Sequence, residues 1–288
     1  MATPLTADRL VAALRAEGVK VIEYGKWRTH NRAEHGAWGP LNGVMIHHTV
    51  TSGTDASVRI CYDGYAELPG PLCHGVIAKN GDVYLVGNGR ANHAGLGDDD
   101  VLAAVVAERK LPTTNENNVD GNSRFYGFEC VNLGNGADPW PAEQLDAIER
   151  VSAAICRAHG WSAASVIGHK EWTNTKVDPR GFSMTTMRER VDRRLGIKPG
   201  KPVPAPKFEP FPGADWFKKN PRSAIVTAMG RCLVAEGCSA YASGPGPQWT
   251  TADRDSFRKW QKKLGDAPQF CDGWPGRKQW DALKVPKV

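Results

Sequence analysis

Apolar residues recur along the first two-thirds of the chain in two alternating periods. Leu10, Val11 and Leu14 share one face of a segment opened by Thr6 and closed by Gly18, which predicts a helix capped by Thr6. The run Gly43-Val44-Met45-Ile46 predicts a short buried strand ending at His47. Val76-Ile77-Ala78 and Val83-Tyr84-Leu85-Val86 flank Asn80-Gly81, the signature of a β-hairpin with a tight turn at positive φ. Phe125 to Val131 reads as another strand. Pro141 to Ala158 reads as a helix, with Leu145, Ile148, Val151, Ala154 and Ile155 on one stripe and His159-Gly160 closing it. Val166-Ile167-Gly168 is a last short strand, ending at His169. Strands mixed with helices, plus one hairpin, predict an α/β fold: a mixed central β-sheet flanked by helices.

The pattern changes at Gly196-Ile197-Lys198-Pro199-Gly200-Lys201-Pro202-Val203-Pro204-Ala205-Pro206, a Pro-rich stretch that is semi-rigid and extended. Three domains of organisation follow: 1–196, a linker over 197–213, and a module over 214–288. In the module, Ala224–Glu236 predicts one helix and Ala252–Leu264 a second, capped by Thr250 or Thr251. Pro275–Leu283 predicts a third, which makes a small all-α three-helix unit of about 75 residues. Trp260 and Trp280 fall on inward positions, whereas Trp249 and Trp274 are expected at the surface.

Composition is ordinary for a soluble globular protein, at 41% hydrophobic and 24% charged residues. No apolar run approaches the ~20 residues of a membrane span, so stable membrane insertion is not expected. The N-terminus has no basic segment followed by an apolar one, so no signal peptide is expected. The net charge of +6 is uneven: residues 201–288 carry 15 Lys/Arg against 8 Asp/Glu, and the remainder 22 against 23. A basic C-terminal part favours an anionic polymer as partner, although no nucleic-acid-binding motif accompanies it. The seven cysteines include no Cys-x-x-Cys pair, so a zinc ribbon is not expected; Cys61–Cys73 and Cys232–Cys238 are the pairs that could bridge.

Four histidine-bearing segments carry the candidate chemistry: Ile46-His47-His48-Thr49, Cys73-His74-Gly75, Asn92-His93-Ala94-Gly95, and Gly168-His169 followed by Lys176-Val177-Asp178-Pro179. A hydrolytic zinc site needs three protein ligands and one open position for water, and two histidines with one carboxylate meet that need. Ligands from separate strand ends can converge where a sheet opens onto a cleft.

Val44-Met45-Ile46-His47-His48-Thr49, Asn92-His93-Ala94-Gly95, Gly127-Phe128-Glu129 and Gly168-His169…Lys176-Val177-Asp178-Pro179 together resemble the motif series of zinc N-acetylmuramoyl-L-alanine amidases. This family includes phage amidases, bacterial cell-wall recycling amidases and animal peptidoglycan recognition proteins. The resemblance spans roughly residues 20 to 195, with the motifs in order. It implies a peptidoglycan-recognition-protein-like fold and Zn2+ held by His47, His169 and Asp178, with His47 chosen over His48 because the family ligand is the first of the pair. It further implies Glu129 as general base and Lys176 as the group that stabilises the oxyanion. His48, His74 and His93 are expected to contact substrate, the last two alternatively as partners behind the ligands. Phage members often carry a Tyr directly before the pre-hairpin histidine; Cys73 stands there, which shifts weight to Glu129.

The C-terminal segments Trp260-Gln261-Lys262-Lys263-Leu264-Gly265, Asp272-Gly273-Trp274-Pro275-Gly276 and Trp280-Asp281-Ala282-Leu283 resemble small three-helix peptidoglycan-binding domains. That resemblance implies a wall-binding module; physically, exposed indoles, expected to be Trp249 and Trp274, can stack on sugar rings while Lys and Arg meet the anionic wall. The whole layout is that of a phage endolysin for host lysis: a monomer acting on bacterial peptidoglycan, held in the host cytoplasm until release to the wall. The alternatives are a non-catalytic peptidoglycan-recognition protein and a bacterial autolysin that cuts another peptidoglycan bond on the same zinc site.

Overall fold

A computed structural model describes residues 2–201 and 208–288. The chain divides into two compact units, Met1–Val203 and Pro204–Val288. The division falls within the Pro-rich stretch; its residues 202–207 lie outside the described residues.

The first unit is built on a six-stranded sheet of β1 (Val21–Glu23), β2 (Gly43–His48), β3 (Gly75–Ile77), β4 (Val83–Leu85), β5 (Phe125–Cys130) and β6 (Val166–Gly168). Their order is β1-β4-β3-β5-β2-β6. Only β3 and β4 run antiparallel; every other neighbouring pair is parallel. The expected mixed sheet is therefore present, with the hairpin embedded in it. The hairpin connection is longer than a two-residue turn. Gly81 N–H donates to Ala78 O, Gly81 takes φ +83°, and Ala78 N–H reaches Asp82 O. Such a turn followed by a left-handed glycine is the three-residue hairpin loop, and Asn80 sits before the glycine rather than sharing its positive φ.

Helices cover both faces, so the central strands β2 and β5 are mostly apolar until their carboxyl ends, where His47, His48 and Glu129 stand. Side chains of α1 (Ala7–Ala16), α4 (Ala142–His159) and α6 (Met184–Leu195) pack with Val44, Ile46, Tyr126 and Phe128. The opposite face carries α2 (Thr54–Asp63), whose Val58 and Cys61 meet Val76, and α3 (Asp99–Val106), whose Val101 and Val105 meet Met45 and Phe125. Neither β1 nor α2, α3 and α6 was expected from the sequence pattern. Helix α6 is charge-rich and is fastened by ion pairs: the buried Arg194 Nε lies 2.6 Å from Glu149, and its Nη2 lies 2.8 Å from Asp146 on α4. All of Cys61, Cys73, Cys232 and Cys238 are free thiols.

The second unit consists of α7 (Ala214–Lys218), α8 (Ala224–Ala235), α9 (Thr251–Lys263) and α10 (Arg277–Leu283). Thr250 is the N-cap residue of α9, and Asp253 Oδ2 accepts from both its N–H and its hydroxyl. Trp260 and Trp280 are core residues, as expected. The expectation that Trp249 is exposed is wrong: only 4% of it is accessible, because it packs against Phe217 within the helical core. Trp274 is also not free. It is half-buried, stacked on Trp249 at 5.9 Å, and covered by the Arg254 guanidinium at 4.6 Å. In a unit this small the indoles are its largest apolar groups, and burying them is what provides a core.

Candidate metal centre

Three adjacent parallel strands, β5, β2 and β6, deliver chemistry at their carboxyl ends. His47 on β2 is in register with Glu129 on β5. Gly168 on β6 is in register with Ile46, so His169 follows beside His47. The pleat turns Met45 and His47 towards the α2/α3 face, and it sends Val44, Ile46 and His48 the other way. The free edge of β6 is closed by a pair: Gly168 N–H donates to Glu171, and Arg188 donates to Val166 O while bonding Glu171. This fixes the backbone from which His169 projects at the start of α5 (His169–Trp172).

Asp178 arrives from the loop after α5. Lys170 N–H donates to Asp178 O at 2.6 Å, and Trp140 Nε1–H donates to Arg180 O at 2.8 Å. Gly181 takes φ +96° with its Cα against the same indole, so close that a Cβ would stand 2.5 Å from Trp140 Nε1. Trp140 thus pins the segment that carries Asp178. No motif singled it out; its only signal in the sequence is a tryptophan preceding the Pro141 that opens α4.

The resulting contact joins three donor atoms. His47 Nδ1 lies 3.0 Å from His169 Nδ1 and 3.1 Å from Asp178 Oδ2, which is 3.2 Å from His169 Nδ1. The partners of the other ring nitrogens assign the protons. His169 Nε2 faces the Ala94 carbonyl at 3.1 Å, so that nitrogen carries the hydrogen and Nδ1 the lone pair. His93 Nε2 faces the Phe125 carbonyl at 3.2 Å and must donate, which leaves His93 Nδ1 to accept from His47 Nε2–H at 3.1 Å. His47 Nδ1 is therefore also bare. Burial, aided by neighbouring His169, lowers the His47 pKa to about 4 and keeps the ring neutral. Three lone-pair donors face one another with no proton between them, an arrangement that a cation relieves. Ligand atoms about 2.0–2.1 Å from a tetrahedral zinc ion stand about 3.3 Å apart, close to the separations found. The donor set fits a divalent metal.

Glu129 flanks this centre. Its Oε2 is buried and takes no hydrogen bond among the described residues. Burial raises its pKa well above the ordinary carboxylate value, helped by Cys61 and Asp178 and opposed by Lys176. Lys176 is exposed, two residues before Asp178, and its charge reaches both Glu129 and His47.

The remaining histidines separate. His93 is the buried partner of His47, and its ring lies over Gly127, where a Cβ would come within 2.4 Å of Nδ1. His74 has both ring nitrogens bonded to main chain: Nε2–H donates to Gly89 O and Nδ1 accepts from Gly127 N–H, each at 2.8 Å. Its ring also stacks on Trp38. His48 lies on the opposite strand face from His47, against Gly134, and its Nδ1 accepts from Arg180 N–H at 3.2 Å. The strand ends and the loops beside them thus bring together His47, His169, Asp178, Glu129 and His93, whereas His48 and His74 serve neighbouring main chain.

A family model described as N-acetylmuramoyl-L-alanine amidase matches residues 37–181. The chain belongs to this family. The matched stretch contains His47, Glu129, His169, Lys176 and Asp178. The protein is accordingly an enzyme, an amidase whose substrate is peptidoglycan. No curated protein matches the chain. Among solved structures, the endolysin amidase LysCS from Clostridium intestinale is 16% identical, with 60% of this chain and 95% of that one covered at a TM-score of 0.41. AmiD from E. coli, complexed with anhydro-N-acetylmuramic acid-L-Ala-D-γ-Glu-L-Lys, is 14% identical over 87% of this chain and 90% of that one, with a TM-score of 0.39. The Staphylococcus aureus hydrolase AmiA is 13% identical over 67% and 93%, with a TM-score of 0.44.

Proposed function

We propose that this amidase is a zinc enzyme that hydrolyses the bond between N-acetylmuramic acid and L-alanine, with His47, His169 and Asp178 as metal ligands. The observation that carries the reading is the meeting of His47 Nδ1, His169 Nδ1 and Asp178 Oδ2 at 3.0–3.2 Å beside Glu129 Oε2, a buried oxygen that takes no hydrogen bond among the described residues. A bound zinc ion would polarise the amide carbonyl and lower the pKa of a bound water towards neutrality. Glu129 takes a proton from the attacking water and returns it to the leaving amine of alanine. Its raised pKa suits both halves of that transfer, since a carboxyl of ordinary acidity would hold the proton too weakly. Lys176, free to move at the surface, donates to the oxygen that gains negative charge; one such donor is worth about 10²–10³ in rate. His93 holds His47 in the tautomer that leaves Nδ1 bare.

The C-terminal unit is read as a wall-binding module that works by charge. With Trp249 in the core and Trp274 under Arg254, the indoles offer little face for a sugar, while exposed lysines such as Lys219, Lys262 and Lys287 remain available to an anionic wall. A catalytic unit joined to such a module supports action as a monomeric phage endolysin, held in the host cytoplasm until lysis.

Mass spectrometry of fragments released from purified peptidoglycan tests the central claim. The expected products are free stem peptides beginning with L-alanine, abolished by chelator and restored by zinc. Cleavage at another bond, or full activity in metal-free protein, overturns it.

A further inference from the structure

The two histidine ligands depend on one short segment. His93 Nδ1 accepts the proton from the far side of His47, and the Ala94 carbonyl accepts that from the far side of His169. Adjacent residues therefore dictate which nitrogen each ligand presents. The segment is itself gathered at a single atom. The N–H groups of His93, Ala94 and Gly95 all point at Asn122 Oδ1, at 2.8, 2.8 and 3.3 Å. Gly121 N–H adds a bond to Gly95 O at 2.8 Å.

Asn122 lies in the 3-10 turn Gly121–Ser123, just before β5, the strand that carries Glu129. That turn is closely docked: a Cβ on Gly121 would stand 2.8 Å from both Ala94 Cβ and Trp172 Nε1. Its own conformation is set by Asp120, which accepts from Asn122 N–H and pairs with Arg90. Asn122 touches none of the three donor atoms, yet its oxygen is the common support of the acceptors behind two of them.

We propose that Asn122 is a positioning residue of the metal centre: by holding His93–Gly95 it sets the tautomer and orientation of both His47 and His169. A three-way acceptor in this place does what a carboxylate or carbonyl does singly behind a metal-binding histidine, but for two ligands at once. The inference rests on the reading of His47, His169 and Asp178 as ligands, not on which peptidoglycan bond is cut.

The test uses the full chain and two measurements that do not involve peptidoglycan. Proton–nitrogen correlation spectra of the histidine side chains in metal-free protein report which ring nitrogen carries hydrogen. Competition against a chromophoric chelator reports zinc affinity. In the native chain both His47 and His169 are expected as the Nε2–H form. Asn122→Ala should leave both rings as tautomer mixtures and weaken zinc binding by about 10–100-fold. Asn122→Asp keeps all three acceptances and should restore the single tautomers. His93→Phe fills the space over Gly127 without an acceptor, so it should disturb His47 and leave His169 unchanged. A folded Asn122→Ala protein with native tautomers and native zinc affinity overturns the proposal. Should that variant not fold, a His47 tautomer unaffected by His93→Phe overturns it equally.

Discussion

His47 Nδ1 and His169 Nδ1 stand 3.0 Å apart with a bare lone pair on each, because the Nε2 of each ring is committed to an acceptor behind it. Neutral imidazoles held in this way repel unless something positive lies between them. One zinc ion per chain is therefore expected by elemental analysis. Asp178→Asn or His169→Ala should reduce affinity by more than the about 10–100-fold that loss of an outer partner costs. Free zinc at 100 times its Kd should stabilise the native protein by about 2.7 kcal/mol, visible as a raised melting temperature. A melting curve indifferent to zinc would contradict the ligand assignment.

Glu129→Gln preserves shape and removes the proton-transfer function. Turnover is expected to fall by about 10²–10⁴ with the zinc content unchanged. Stability should hold or rise, since Glu129 is a carboxyl whose ionisation burial already opposes. Steady-state kinetics alongside metal analysis separate this outcome from loss of the metal; unchanged turnover would remove the role.

His74 predicts how stability depends on pH. Burial lowers its folded-state pKa from 6.5 to about 4. Between those values the unfolded chain takes up a proton that the native one refuses, so stability falls as pH drops from 6.5 towards 4 and this loss saturates below it. The full effect is about 3 kcal/mol at about 1.4 kcal/mol per pKa unit. In His74→Asn the side-chain oxygen can still accept from Gly127 N–H but takes up no proton. Denaturant melts across this window should show a shallower acid slope in the variant.

Trp249 is expected to be a stability residue. Trp249→Ala removes a buried indole packed on Phe217 and should cost the C-terminal unit about 3–5 kcal/mol, detected by its melting transition. Replacing the exposed Lys219, Lys262 and Lys287 by Glu should leave that transition in place. It should weaken sedimentation with purified cell walls, most clearly at low salt. Wall binding insensitive to both salt and these charges would point to another surface.

Local rules made much of this protein readable from its sequence. Thr6 caps α1 because a hydroxyl before an amphipathic run satisfies a free N–H group, Thr250 opens α9 with Asp253 three residues on accepting from it, and Gly81 marks the hairpin because it alone there needs positive φ. His47 and His169 could be placed at strand ends because each follows a short apolar run. Local rules were silent where stability comes from distant partners. Helix α6 has little apolar surface and depends on Arg194 reaching Glu149 on α4, while α2 begins at Gly53 without a side-chain cap. The indoles of the second unit obey volume: Trp249 is buried because a small core needs it, against the surface position expected of it. Only the folded chain decides that His47 meets Asp178 across 131 residues, that His93 serves His47 while His74 serves the backbone, and that one oxygen of Asn122 supports the segment behind both imidazoles. Sequence specifies which groups can donate or accept; the parallel register of β5, β2 and β6 decides which of them face each other, because a lone pair finds its partner in space and not along the chain.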